Sequence, residues 1–191
     1  MLRAFVALVI LTAANLSASA RPVHIVAFGD SATAGWLVPR QQAYPAQLQA
    51  LLRKKGYDAV VDNTGVNGDT TAGALRRFDQ AIAPATDIAI VEFGTNDQRL
   101  HVPAERMRTN LSEIVRTLRK RDIEVLLVGL GRLDLSDVAR ANGALYAQWN
   151  LPPGKYRARD HAHYNAEGYA IVVARMLPQV EMLIGRAAVR K

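Results

Sequence analysis

Short apolar runs alternate along the chain with longer stretches whose apolar residues recur at three and four positions. Val23-His24-Ile25-Val26-Ala27-Phe28 is apolar on both faces and ends at Gly29-Asp30, the pattern of a strand buried inside a parallel sheet. Tyr44-Pro45 opens a helix in which Leu48, Leu51 and Leu52 share one face, and Gly56 stops it. A second strand is predicted over 57–62, ending at Asn63-Thr64-Gly65. Asp69 or Thr70 can cap the next helix, with Leu75, Phe78 and Ile82 inward and Pro84 as its breaker.

A third strand is predicted over 87–93, ending at Gly94-Thr95-Asn96-Asp97. A long helix over 103–121 follows, with Leu111, Ile114, Val115 and Leu118 inward, then a fourth strand over 123–128 ending in Gly129-Leu130-Gly131. Residues 136–149 read as a helix, 151–160 as a Pro/Gly-containing loop, and 166–184 as a last helix with an interruption at Pro178. A fifth strand is usual before such a helix, and the pattern places none. Alternating strands and helices predict a three-layer α/β/α domain around a mostly parallel sheet.

Composition bounds the remaining readings. The 191 residues, half of them hydrophobic, suit one domain over 21–191. Cysteine is absent, which excludes disulfides, thiolate metal sites and a cysteine nucleophile. The start is a short positive segment, Met1-Leu2-Arg3, an apolar run from Ala4 to Ala14, and the small-residue pattern Ala18-Ser19-Ala20. This predicts a signal peptide over 1–20, cleaved after Ala20, and a periplasmic or secreted protein. The rival is a retained anchor, for which the run is short against the roughly 20 apolar residues of a spanning helix. The net charge of +7 comes from Lys and Arg scattered along amphipathic segments. It reads as solvated helix faces, with no nucleic-acid motif; peripheral contact with anionic lipid or acidic polysaccharide stays open. Oligomeric state is not legible.

In an open parallel sheet the loops after the strands share one edge, and ligands bind where strand order reverses. Three strand ends then carry Gly29-Asp30-Ser31, Gly65-Val66-Asn67-Gly68-Asp69-Thr70 and Gly94-Thr95-Asn96-Asp97. Each alone is an ordinary turn or cap. If the first strand lies between the second and third, Ser31 is central, with Gly68 on one side and Asn96 on the other. A serine between a glycine amide and an amide side chain suits a nucleophile with an oxyanion hole. The fourth piece is Asp160-His161-Ala162-His163. Asp160 and His163 can meet within one turn as carboxylate and base. His161 is the alternative base, and Asp160, His161 and His163 as metal ligands is a further alternative. Trp36, Leu37 and Val38 either line an acyl or aryl groove or pack beneath the next helix; His101 can border the cleft, while His24 lies within a strand.

Together these segments resemble the blocks that define the SGNH (GDSL-type) hydrolases. Gly29-Asp30-Ser31 with Ala32-Thr33-Ala34-Gly35 matches the first block and Gly68 the second. Gly94-x-Asn96-Asp97 matches the third. Asp160-x-x-His163 with Asn165-Ala166-Glu167-Gly168 matches the last. The resemblance runs from about residue 23 to 180 and is nearest to the small secreted branch of arylesterases, acyl-thioesterases and lysophospholipases. It implies a flavodoxin-like sheet, a triad of Ser31, His163 and Asp160, and an oxyanion hole from the amides of Ser31 and Gly68 and the side chain of Asn96. It implies no cofactor and no metal. The stretch from Gly131 to Arg159 is shortened relative to that pattern, and His161-Ala162 replaces its commoner glycine-apolar pair. The expected activity is hydrolysis of short-to-medium acyl or aryl esters, or thioesters, through an acyl-enzyme; the expected partner is a small-molecule or lipid ester. A carbohydrate O-acetyl esterase is the enzymatic rival, and a silent exported lipid- or glycan-binding protein is the rival of another class. The surroundings of the serine lack G-x-S-x-G, so the α/β-hydrolase elbow is not supported.

Overall fold

The computed structural model describes residues 21–151 and 154–190. In chain order the elements are β1 (Val23–Gly29), α1 (Ser31–Ala34), a 3₁₀ turn (Arg40–Gln42), α2 (Tyr44–Lys54), β2 (Ala59–Asn63), α3 (Thr71–Arg76) and α4 (Phe78–Ala81). They continue as β3 (Ile88–Glu92), α5 (Thr95–Arg99), α6 (Ala104–Lys120), β4 (Glu124–Leu130), α7 (Ser136–Ala141), β5 (Leu145–Trp149) and α8 (Ala166–Val189). The five strands form one parallel sheet in the order β2-β1-β3-β4-β5. This is the flavodoxin-like order, and its switch point lies beside β1, where the chain leaves for β2 on one side and returns to β3 on the other.

Both sheet faces are covered, so the inner strands are apolar throughout rather than alternating. Ile25, Ala27, Ile88, Ile90, Leu126 and Val128 pack against α2 and α8 through Leu48, Leu52, Val172 and Val180. Val26, Phe28, Ala89, Val91, Val125 and Leu127 face α3, α4, α6 and α7 through Ala74, Phe78, Leu111, Val115 and Val138. The two cores carry the three-layer arrangement expected from the sequence.

Three segments differ from the expected pattern. The segment 136–149 is not one helix. It is α7, a break at Asn142-Gly143 with Gly143 in the left-handed region (φ 67°), and β5. The fifth strand is therefore present, and Leu126↔Leu145 to Leu130↔Trp149 gives its register on β4. Trp149, 1% exposed, anchors it edge-to-face on Tyr44, with centroids 4.8 Å apart. The last helix runs through Pro178 without interruption and extends to Val189. The predicted helix after Thr70 is split at Arg77 into α3 and α4. The leader expected over 1–20 lies outside the described residues.

Candidate active site

The site is built on the edge where β1, β2 and β3 end. Asp30 caps the first turn of α1, its Oδ1 accepting from the Ala32 amide at 2.9 Å, and this turn presents Ser31 at the end of β1. Close approach is enforced by glycine. A Cβ on Gly29 would meet Thr33 Oγ1 at 2.0 Å, and one on Gly65 would meet the Ala34 amide at 2.3 Å. The loop after β2 therefore folds directly over α1, held by Val66 N–H to Gly29 O at 3.0 Å and by Asn63 Nδ2 donating to Thr33 O at 3.0 Å. That loop carries Gly68, whose φ of 77° is a conformation few other residues adopt without cost.

From the other end of the chain, the loop before α8 brings His163 over Ser31. Ser31 Oγ and His163 Nε2 are 2.8 Å apart, and His163 Nδ1 and Asp160 Oδ2 are 2.6 Å apart. Asp160 also accepts from the amides of Ala162 and His163, both at 3.1 Å. The slight burial of Asp160 pushes its pKa up, but the hydrogen bond from the His163 ring and those two amides outweigh it and hold the carboxyl at about 2. His161 is exposed, at φ 60°, and does not join this chain of contacts. The turn is kept in place by Asn165, which caps α8 by accepting from Gly168 N–H at 2.9 Å, and by Arg157, whose guanidinium lies 4.3 Å over the Tyr164 ring.

A cleft of about 450 Å³ opens in front of this pair, lined by Ser31, Trp36, Asn67, Gly68, Thr95, Asn96, Arg99, Ala162 and His163. Trp36 is 46% exposed there. A smaller pocket of about 90 Å³ adjoins the same two residues, with Leu130, Arg157 and Tyr164 among its walls. Of the sequence-predicted residues, Ser31, Gly68, Asn96, His163 and Trp36 meet at the cleft, and Asp160 lies behind His163. Leu37 and His101, both at positive φ, are not among its lining residues.

Asn96, 6% exposed, uses both hydrogens of its amide. Nδ2 donates to Asp30 Oδ2 at 3.0 Å and to the Asp69 carbonyl at 2.9 Å. Among the described residues the amides of Ser31 and Gly68 donate to no protein acceptor, and both residues line the cleft.

Two residues escaped the sequence reading. Arg77, at the junction of α3 and α4, ties the strand ends together. It donates to Asp69 Oδ2 at 2.7 Å, Thr64 O at 2.7 Å and Gly29 O at 3.0 Å, with its guanidinium 4.7 Å over Phe28. Glu92, at the end of β3, is fully buried among these loops and accepts from Thr33 Oγ1 at 3.0 Å. An ionised carboxylate at such a site costs several kcal/mol unless a cation pairs with it. Its charged neighbour is the Asp30 carboxylate. Burial first, and the Asp30 charge second, push the Glu92 pKa well up. A charged residue closing an otherwise apolar strand was the available signal for Glu92. Arg77 had none, because its partners come from three separate loops.

The GDSL-like lipase/acylhydrolase family model matches residues 27–151. The match takes in Ser31, Gly68 and Asn96 and ends before Asp160 and His163. The chain is 32% identical over 151 residues to the esterase TesA of Pseudomonas aeruginosa, covering 74% of this chain and 72% of that one. It is 29% identical over 113 residues to an arylesterase of Vibrio mimicus, covering 59% of this chain and 56% of that protein. This second alignment thus spans just over half of the relative. The crystal structure of AlinE4, an SGNH-hydrolase family esterase, superposes with a TM-score of 0.67 at 29% identity, covering 85% of this chain and 97% of that one.

Proposed function

The chain belongs to the GDSL-like lipase/acylhydrolase family, and on that premise we propose that it is a serine esterase in which Ser31, His163 and Asp160 form the triad. Ester hydrolysis through an acyl-enzyme is the reaction of the family. The observation that carries the assignment of residues is the unbroken chain Ser31 Oγ–His163 Nε2–Asp160 Oδ2, with contacts of 2.8 and 2.6 Å, opening onto the cleft.

His163 accepts the Ser31 proton as Oγ attacks the ester carbonyl. Asp160 holds the Nδ1–H tautomer and balances the imidazolium that forms. The carbonyl oxygen, now an anion, is met by the amides of Ser31 and Gly68 and by the Asn96 side chain. His163 then delivers its proton to the departing alkoxide, leaving an acyl group on Ser31. Water repeats the sequence and frees the acid. Asn96 takes part by sharing with the oxyanion a hydrogen that otherwise rests on Asp30 or Asp69, so its contribution grows as the negative charge develops.

The substrate we propose is a short-to-medium acyl or aryl ester. The exposed face of Trp36 in the open cleft supplies an apolar surface, and the 90 Å³ cavity beside Ser31 suits a small group. The pattern of the first twenty residues supports export, with cleavage after Ala20. A series of p-nitrophenyl esters of increasing chain length, assayed beside acetylated xylan, tests the substrate. Turnover that peaks on the short and medium p-nitrophenyl esters supports the reading. Activity confined to acetylated xylan would replace it by a carbohydrate O-acetyl esterase.

A further inference from the structure

We infer that Glu92 is a positioning residue for this reaction, acting through Asp30 on the side-chain amide of Asn96. The inference rests on the serine-esterase reading above and extends it to a group that touches no substrate.

The geometry is a buried polar relay. Thr33 Oγ1 donates to Glu92 Oε2 at 3.0 Å, and Thr33, Glu92 and Asp30 are all 0–1% exposed. Asp30 stands next: its amide donates to Glu92 O at 3.2 Å, and its carboxylate accepts from Ala32 N–H at 2.9 Å and from Asn96 Nδ2 at 3.0 Å. The other Glu92 oxygen, Oε1, is buried and has no donor among the described residues. Buried polar atoms without partners are uncommon and call for an explanation. A proton on Glu92 gives one. It turns two facing acceptors into a donor and an acceptor, with Asp30 receiving the bond, and burial together with the Asp30 charge favours that proton.

The consequence falls on Asn96. An unshared Asp30 carboxylate is a strong acceptor, since hydrogen bonds to an ionised group are about twice as strong as neutral ones. It would hold the Asn96 hydrogen against the oxyanion. Asp30 that also receives a proton from Glu92 spreads its charge over a second bond and holds Asn96 less tightly. The amide keeps its place at the cleft that Ser31 also lines, and yields part of its bond when the oxyanion forms. Glu92 thus provides what a neutral donor in its place also provides, which makes glutamine the informative replacement.

The test compares Glu92→Leu with Glu92→Gln, each with its active sites counted by a fluorophosphonate probe. Glu92→Leu should lower kcat per titrated site about 10- to 100-fold with KM within about twofold, because the lost interaction belongs to the transition state. Glu92→Gln, which keeps the volume and a donor toward Asp30, should recover to within about threefold of wild type. A Leu variant with wild-type titrated kcat, or a Gln variant as slow as Leu, overturns the inference. A second measurement stands apart from turnover and serves if Glu92→Leu does not fold. Infrared spectroscopy near pH 7 should show a protonated carboxylic-acid stretch in wild type that Glu92→Gln lacks; its absence from wild type overturns the inference. A folded wild type that the probe never labels defeats the Ser31 assignment instead, and with it the relay's role in turnover.

Discussion

Asn96 gives a hydrogen of its side-chain amide to the Asp30 carboxylate, 3.0 Å away, and so is bound to the residue that immediately precedes Ser31. The second hydrogen goes to the Asp69 carbonyl. The amide is thereby locked between the loop ends of β1, β2 and β3, and it reaches an oxyanion only by sharing. Asn96→Ala should lower kcat about 10²–10³-fold, the cost of losing one oxyanion donor, and leave KM nearly unchanged. If Asn96 only shapes the loop, the same variant loses thermal stability while kcat per titrated site is kept. Melting temperature and titrated kcat measured on one sample decide, and a drop of less than about fivefold removes Asn96 from the oxyanion hole.

The two histidines of the last loop should separate cleanly. His163 contacts Ser31 Oγ and Asp160, whereas His161 is exposed and makes neither contact. His163→Ala should cost several orders of magnitude in kcat, and His161→Ala should cost less than about threefold. Steady-state kinetics that rank the two the other way round reassign the base. Addition of a chelator should leave activity unchanged; loss that added zinc restores would favour the metal reading of Asp160, His161 and His163.

The depressed pKa of Asp160, at about 2, fixes the sign of its pH dependence. A carboxyl depressed on folding contributes stability above its ordinary unfolded value of about 3.9, and loses that contribution as pH falls toward 2. Between about pH 4 and 9 its charge is constant, and Asp160→Asn should depress kcat by about 10⁴-fold at neutral pH. It should also flatten the fall in melting temperature between about pH 4 and 2. A folded Asp160→Asn variant whose kcat at neutral pH stays within about tenfold of wild type contradicts the assignment of Asp160 as the tautomer-holding carboxylate.

Export carries its own expectation. Arg21, the first residue beyond the Ala18-Ser19-Ala20 pattern, pairs with Asp87 at 2.7 Å at the start of β1 and β3. The mature protein from its native host should begin at Arg21 and be found outside the cytoplasm. N-terminal sequencing checks this; a species retaining Met1 in the soluble cytoplasm refutes it.

The parts of the molecule that were legible in the sequence are those fixed by local pattern. The apolar run of β1, the 3.6-residue period of α6 and the glycines at the strand ends each report a local constraint. Because parallel strands must end on one edge, these constraints also placed Ser31, Gly68 and Asn96 together. What was missed depends on contacts distant in sequence. Leu145-Tyr146-Ala147-Gln148-Trp149 is short and of mixed polarity, and only pairing with β4 and the seat of Trp149 on Tyr44 make it a strand. Asn142-Gly143, with Gly143 in the left-handed region, is the turn that separates α7 from β5. Pro178 marked an interruption that the packing of Met176 and Val180 against the sheet overrides. Glu92 closes a strand whose pattern was legible and Arg77 sits at the break between α3 and α4, and the partners of both arrive from separate loops.

The central claim is that Ser31 is the nucleophile, activated by His163 2.8 Å away. It is tested most directly by intact-protein mass spectrometry after incubation with a fluorophosphonate. Wild type should gain one phosphonyl group on the peptide bearing Ser31 as its esterase activity disappears. Folded Ser31→Ala should gain none and hydrolyse no p-nitrophenyl ester above background. A folded Ser31→Ala protein that turns over ester at the wild-type rate, or a wild type labelled on another residue as its activity falls, would contradict the account.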